Sequence, residues 1–139
     1  MATIRKASPD DLDQLMLWGE RFHAQSNWIL IPFVEAAFRK TLLSVMGRED
    51  SCLLMHDEGM VAGFLGPLWF SDRHIIAQEM FWYAENDGGH LLEALEDWAR
   101  QAGADFLITS GLKDESGRIQ RLYEKKGFEL AEYHYRKRL

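Results

Sequence analysis

The residues best placed for chemistry lie between Glu79 and Ala102, in the stretch EMFWYAENDGGHLLEALEDWARQA. At its centre, Asn86-Asp87-Gly88-Gly89 joins an apolar run to a segment in which Leu91, Leu92, Leu95, Trp98, Ala99 and Ala102 recur at helical spacing. His90, Glu93, Glu96, Asp97, Arg100 and Gln101 fill the other faces, and Gly103 is a left-handed stop. The turn therefore presents unpaired backbone N–H groups at the mouth of a helix, where the dipole is positive and phosphate is attracted. Glycine matters because a side chain would hold the anion away from the backbone. Glu85 and Asp87 flank the turn, and no Lys or Arg occurs between His74 and Arg100. At ~5–8 Å each carboxylate opposes a diphosphate by roughly a kcal/mol at intermediate dielectric. The helix terminus acts in the other direction with about the same magnitude.

Two more side chains stand out. Glu79 lies among Ile75, Ile76, Met80 and Phe81, surroundings that would raise a carboxyl pKa and let it accept a proton from an ammonium. A surface glutamate at a strand start is the plainer alternative. Tyr123 shares the face of Ile119 and Leu122, a spacing that also suits a core tyrosine. His23 and His74 each stand alone, as structural or surface histidines usually do. Cys52 is the single cysteine, so neither a disulfide framework nor a cysteine metal cluster is available, and no metal is expected.

The elements that would position these groups follow in order. Thr3–Lys6 reads as a short strand. Ser8-Pro9-Asp10-Asp11 reads as a helix start, with Ser8 as cap and Leu12, Leu15, Met16, Gly19 and Phe22 as the inner face. Pro32 opens a second helix with Phe33, Ala36, Ala37, Lys40 and Leu43 or Ser44 on one side, ending near Gly47. Ser51–Met55 and Met60–Leu68 form a hairpin about His56-Asp57-Glu58-Gly59, and His74–Ala84 is a third long strand of that group. After the helix already described come a buried strand, Asp105–Thr109, and a helix from Glu115 or Ser116 to the stop at Gly127. Phe128–Arg138 reads as a final strand or hairpin. The order is β-α-α-β-β-β-α-β-α-β, which implies an α/β chain, a mixed sheet covered by helices on both faces.

The length, 139 residues, fits one domain spanning 1–139, and 47% hydrophobic with 27% charged residues fits a packed core. No apolar run approaches the ~20 residues that cross a bilayer, and no secretory leader is visible, so a cytoplasmic protein with no membrane partner is expected. A net charge of −6 disfavours nucleic acid and mildly favours a cationic partner such as an amine.

This order resembles the GNAT superfamily of acyl-CoA N-acyltransferases along essentially the whole chain. The strand ending FWYA, the glycine turn, LLEALEDWARQAGAD and above all RLYEKKGF (Arg121–Phe128) carry the likeness. Glu79-Met80-Phe81-Trp82-Tyr83, with the ending Tyr133-His134-Tyr135-Arg136-Lys137, is similar to the phage- and prophage-encoded branch. The resemblance implies a central splayed sheet whose fourth and fifth strands part to admit the pantetheine arm of acetyl-CoA. That arm would run beside Phe81, Trp82 and Tyr83. The diphosphate would meet the N–H groups of Asp87, Gly88, Gly89 and His90. Arg118 and Arg121, with Lys125 and Lys126, would reach the 3′-phosphate. Tyr123 would be the general acid that protonates the departing thiolate, and Glu79 the base, with His74 and His23 as lesser candidates. Glu20 and Glu35 lie on the helices that shape the acceptor side. The implied activity is acetyl transfer to a primary amine on a small molecule or protein, by direct attack in a ternary complex, and homodimers are frequent among such proteins. The competing expectation is a catalytically inactive GNAT-fold binding or regulatory protein, phage-derived and acting on a host protein.

Overall fold

The computed structural model describes residues 3–111 and 114–139. The order is β1 (Arg5–Lys6), a 3₁₀ turn (Pro9–Asp11), α1 (Leu12–Gln25), α2 (Glu35–Met46), β2 (Ser51–His56), β3 (Gly59–Leu68), β4 (Ser71–Ala84), α3 (Gly88–Gln101), β5 (Phe106–Ile108) and α4 (Arg118–Lys125). The strands form one sheet in the order β1-β2-β3-β4-β5. The first four are antiparallel neighbours, and β5 joins β4 in parallel. A parallel neighbour requires a crossover, and α3 supplies it. The mixed α/β sheet flanked by helices is the expected one.

Each sheet face has its own core. Leu15 and Trp18 of α1 and Leu42 and Val45 of α2 pack with Leu53, Met55, Met60, Ala62 and Phe81 of the strands. On the opposite face Leu91 and Leu95 of α3 pack with Cys52, Leu54 and Val61, bordered by Trp82, Trp98 and Leu107. The alternation of β2 and β3, with Leu53 on one side and Leu54 on the other, is the two-residue period of a strand buried on both faces.

Gly19 sets how closely α1 and α2 approach. A Cβ built there would lie 2.1 Å from Cε2 of Phe38. That ring cannot swing away, because it is packed against Phe33 and Phe81 at centroid distances of 5.5 and 5.6 Å. Gly19→Ala should therefore lower stability by about 1–3 kcal/mol, despite alanine's better helix propensity. A lowered urea midpoint at unchanged slope would record this.

Several sequence expectations are corrected. Ser8 is the N-cap and Pro9 the first helical residue, as expected, but the opening turn is 3₁₀, and in it the Asp11 carboxylate accepts the Ser8 N–H at 2.8 Å and pairs with Arg5 at 2.7 Å. α2 begins at Glu35, not at Pro32, and buries Leu42 and Val45 rather than the Ala36/Ala37/Lys40 side. Apolar residues surround this helix, so its facing was ambiguous until the Phe38 ring found the Gly19 slot. Most importantly, Phe128–Arg138 forms no strand. A strand exists only with a partner edge, and this segment meets none. It crosses instead to the α1–α2 connection, where Arg136 lies over the Trp28 ring at 4.4 Å and donates to the Asn27 carbonyl. The outer edge of β5 is left open, with Phe106 and Ile108 exposed.

Candidate functional site

β4 outruns its neighbour. It pairs with β5 only at Ile76, Ala77 and Gln78, opposite Phe106, Leu107 and Ile108. Beyond that point β5 ends and the ladder stops. Among the described residues, the edge of β4 from Glu79 to Ala84 then has no strand partner on the β5 side. An unpaired edge of this kind is a template for an extended chain.

The gap opens at a bulge. On β3, Gly63 faces Glu79 and the next residue back, Ala62, faces Phe81, so Met80 is an extra residue with nothing opposite it. The consequence is a change of face. Residues two apart on a strand normally share a side. Here Phe81 enters the α1–α2 core opposite Ala62, whereas Glu79 sits opposite Gly63, whose added Cβ would strike Leu95 of α3 at 2.7 Å. The bulge thereby turns Glu79 toward the α3–α4 side of the gap.

There Glu79 meets Tyr123. Its carboxylate accepts a hydrogen bond from the Ser110 backbone N–H, and the Tyr123 hydroxyl donates to the Ser110 carbonyl at 2.8 Å. One residue just past the end of β5 thus holds both groups. Glu79 is 9% exposed, and burial, offset in part by the Ser110 N–H, pushes its carboxyl up to about 7. The Tyr123 phenol is pushed up to about 12, first by burial and then by the nearby Glu79 charge, against a hydrogen bond from the Thr109 side chain. The pair therefore offers a carboxylate able to take a proton near neutral pH and a phenol that keeps its own. The Tyr123 ring is fixed by Trp82 and Phe128 at centroid distances of 6.1 and 5.4 Å. Cys52, buried with its thiol pushed up to about 12, is no competing nucleophile.

At the far end of the open edge lies the mouth of α3. Its N-cap, Asp87, has φ 58° and ψ 38°, the left-handed region, and Gly88 begins the helix. A left-handed residue followed by a right-handed one gathers successive N–H groups into a concave nest for an anion. His56, 3% exposed at the end of β2, fixes that nest. Its Nδ1 accepts the Glu58 N–H at 2.9 Å, so Nε2 carries the proton and donates it to the Asp87 carbonyl at 3.1 Å. Because the peptide is planar and trans, drawing the Asp87 carbonyl inward aims the Gly88 N–H the opposite way, toward the mouth. Trp82 Nε1 donates to the Gly88 carbonyl at 3.0 Å and braces the next peptide.

The two acids flanking the turn are both engaged. Glu85 pairs with Arg21 and accepts from Trp18 Nε1 at 3.0 Å. The Asp87 carboxylate is bonded to Nδ1 of His90. A cation missing from the turn's own segment arrives from α4. The Lys126 ammonium would lie 3.7 Å from a Cβ added at Gly89, and it pairs with Glu93 at 2.6 Å.

The remaining sequence candidates are placed as follows. The Phe81 side chain is buried in the α1–α2 core, and Tyr83 packs beside that core half-buried. Arg121 donates to the Ser116 carbonyl at 2.8 Å and Arg118 is exposed, both near the start of α4, at the other end of that helix from Lys126. Glu20 and Glu35 are exposed. His74 contacts Ser71 and His23 the Ile31 carbonyl, both away from Ser110. Among the described residues no cluster of His, Cys, Asp and Glu is suited to a metal ion, and no helix is long and apolar enough to cross a membrane. Sequence reasoning passed over Ser110, Thr109, His56 and the bulge at Met80. Only the Thr-Ser pair directly after a short apolar run gave any signal.

No family model matches this chain, and no curated protein matches it in sequence. Solved structures do match in shape. A transcriptional regulator from Bacillus halodurans C-125 has a TM-score of 0.78 at 15% identity, covering 100% of both chains. A Trypanosoma brucei acetyltransferase has a TM-score of 0.73 at 14% identity, again over 100% of both. The aminoglycoside N-acetyltransferase AAC(6')-Iy, in complex with the bisubstrate analogue CoA-S-monomethyl-acetylneamine, has a TM-score of 0.74 at 15% identity, covering 100% of this chain and 99% of that one. The chain has the GNAT acetyltransferase fold. At these identities the GNAT likeness is one of fold alone. Nothing in it points to the phage- and prophage-encoded branch.

Proposed function

We propose that this GNAT-fold chain is an acyl-CoA-dependent N-acyltransferase, residues 1–139 acting as one cytoplasmic transferase domain that moves an acetyl group to a primary amine. The observation that carries the reading is the convergence of Glu79 and Tyr123 on Ser110 at the point where the β4–β5 ladder stops. The residues present fit acetyl-CoA: an unpaired β4 edge for an extended arm, and an N–H nest with Lys126 beside it for phosphate. Bound acetyl-CoA supplies the thioester carbonyl as electrophile and its thiolate as leaving group. Glu79 takes the proton from the acceptor ammonium, leaving the amine lone pair free to attack. The bulge at Met80 frees a β4 backbone N–H to polarise the carbonyl oxygen. As the C–S bond breaks, the newly acylated nitrogen releases its second proton to solvent, the Tyr123 hydroxyl gives its proton to sulfur, and solvent returns one to the phenolate. The products are an N-acetyl amide and a free thiol.

Titrating acetyl-CoA while following thermal unfolding tests the reading. Stabilisation that grows with ligand is expected. The absence of any shift at millimolar acetyl-CoA would overturn it and favour a non-enzymatic binding protein. That second reading draws on one feature, the run Trp28, Ile29, Leu30 and Ile31 that the α1–α2 connection exposes.

Two further outcomes follow at the α3 mouth. Lys126→Met should weaken CoA about tenfold, and Glu93→Gln, which frees the ammonium, should strengthen it severalfold; calorimetric titration reads both. His56→Leu should also weaken CoA about tenfold while leaving affinity for pantetheine, which lacks the diphosphate, unchanged. His56→Gln, which keeps a donor for the Asp87 carbonyl, should restore most of the loss.

A further inference from the structure

A groove of about 400 Å³ runs between α2, the start of β2 and the middle of β3 and β4. It lies within the roughly 300–1,000 Å³ typical of small-ligand sites. Its floor is Phe64 and Met80, and its wall is Lys40, Thr41 and Ser44 of α2 with Arg48 beyond. One end therefore reaches the bulge residue itself, where the strand gap opens. A gap between strands can be approached from either face of the sheet, so cosubstrate on the α3 side and acceptor on the α2 side would meet there.

The charge of this groove runs against that of the protein. The chain carries −6 overall. In the groove Arg48 is neutralised by two bonds to Asp50, both 2.8 Å. Lys40 makes no ion pair or hydrogen bond among the described residues. The groove thus presents an unmatched ammonium and the Ser44 hydroxyl over an apolar floor, while the Thr41 hydroxyl donates to the Ala37 carbonyl at 3.2 Å. A polycationic acceptor would be repelled by Lys40, whereas an anionic group would gain a charge-assisted partner and the Ser44 hydroxyl as a neighbour.

We propose that this groove is the acceptor site and that it takes a primary amine carrying an anionic group, a carboxylate or a phosphate, held by Lys40. The proposal names the substrate class of the transferase reading and rests on it. Calorimetry on the CoA-loaded protein tests it with two matched pairs: L-lysine against cadaverine, its decarboxylated counterpart, and phosphoethanolamine against ethanolamine. The anionic partner of one pair should bind at least about tenfold more tightly than its counterpart, and which pair responds identifies the anion. Lys40→Gln should erase that preference while leaving affinity for CoA and for the neutral-tailed amine unchanged. Lys40→Glu should reverse the preference in the lysine–cadaverine pair. Equal binding within both pairs, no binding of either anionic probe at millimolar concentration, or a preference that survives Lys40→Gln would overturn the inference. Failure of the wild-type protein to bind CoA would instead overturn the transferase reading and this one with it.

Discussion

Replacing Glu79 by Gln should lower kcat by about 10²–10³-fold and abolish the acid limb of the pH profile, as expected for loss of a general base. In the wild type kcat/KM should rise with pH through about 7, where burial places the Glu79 carboxyl, because only the ionised form takes a proton from the acceptor. The same substitution should stabilise the fold at alkaline pH. Glu79 sits above its ordinary value of 4.5, so the folded state favours the protonated form. Below the unfolded value both states are protonated and nothing is lost. As pH rises through about 7, ionising a nearly buried carboxyl costs the folded state on the order of 3 kcal/mol, which glutamine avoids. Urea midpoints of Glu79→Gln and wild type should therefore coincide near about pH 3.5 and separate, variant higher, near about pH 9. A variant both less active and more stable is the signature of a site held at the expense of stability. Equal midpoints at both pH values would mean that Glu79 is well solvated and is no such base.

Much of this arrangement was legible in residue patterns because it depends on local periodicity. The α3 stripe from Leu91 to Ala99, the stops at Gly103 and Gly127 and the buried β2–β4 hairpins follow from spacing alone. Glu79 was visible as a carboxylate in an apolar run, and Tyr123 as a tyrosine in RLYEKKGF. What spacing could not reveal is what pairing register creates. The bulge at Met80 exists because Gly63 and Ala62 choose Glu79 and Phe81 as partners, and no residue between 79 and 81 announces that choice. Ser110 matters only because the chain leaves β5 there, within reach of two groups distant in sequence. His56 looked like a hairpin residue, yet its other nitrogen holds the α3 mouth. The mouth also looked short of cations when read along one segment. Its compensations come from elsewhere: Arg21 from α1 takes up Glu85, and Lys126 from the end of α4 lies over Gly89. The tail from Phe128 alternates as a strand does, but alternation states only that a strand would suit, not that an edge is within reach.

Tyr123→Phe should separate chemistry from packing. Phenylalanine keeps the ring that Trp82 and Phe128 hold, so the helix and its contacts persist. Only the hydroxyl is lost, with its bonds to the Ser110 carbonyl and the Thr109 side chain. Since Ser110 is exposed, water takes over that carbonyl, and the stability cost should be about 1 kcal/mol. CoA affinity should be unchanged, because no step of binding requires the proton. kcat should nevertheless fall by about 10²–10³-fold, because the departing thiolate leaves unprotonated. The size of that defect should depend on the leaving group. With an acyl aryl thioester, whose more acidic thiol departs without help, wild type and Tyr123→Phe should converge; with acetyl-CoA they should differ most. A defect of equal size with both donors would assign Tyr123 to positioning alone, and an equal loss of affinity and turnover would assign it to packing. The phenol, held up at about 12, stays protonated throughout the accessible pH range, so the rate difference between the two proteins should itself be independent of pH. That flatness, set against the acid limb that Glu79 imposes on both, distinguishes the two roles within one profile.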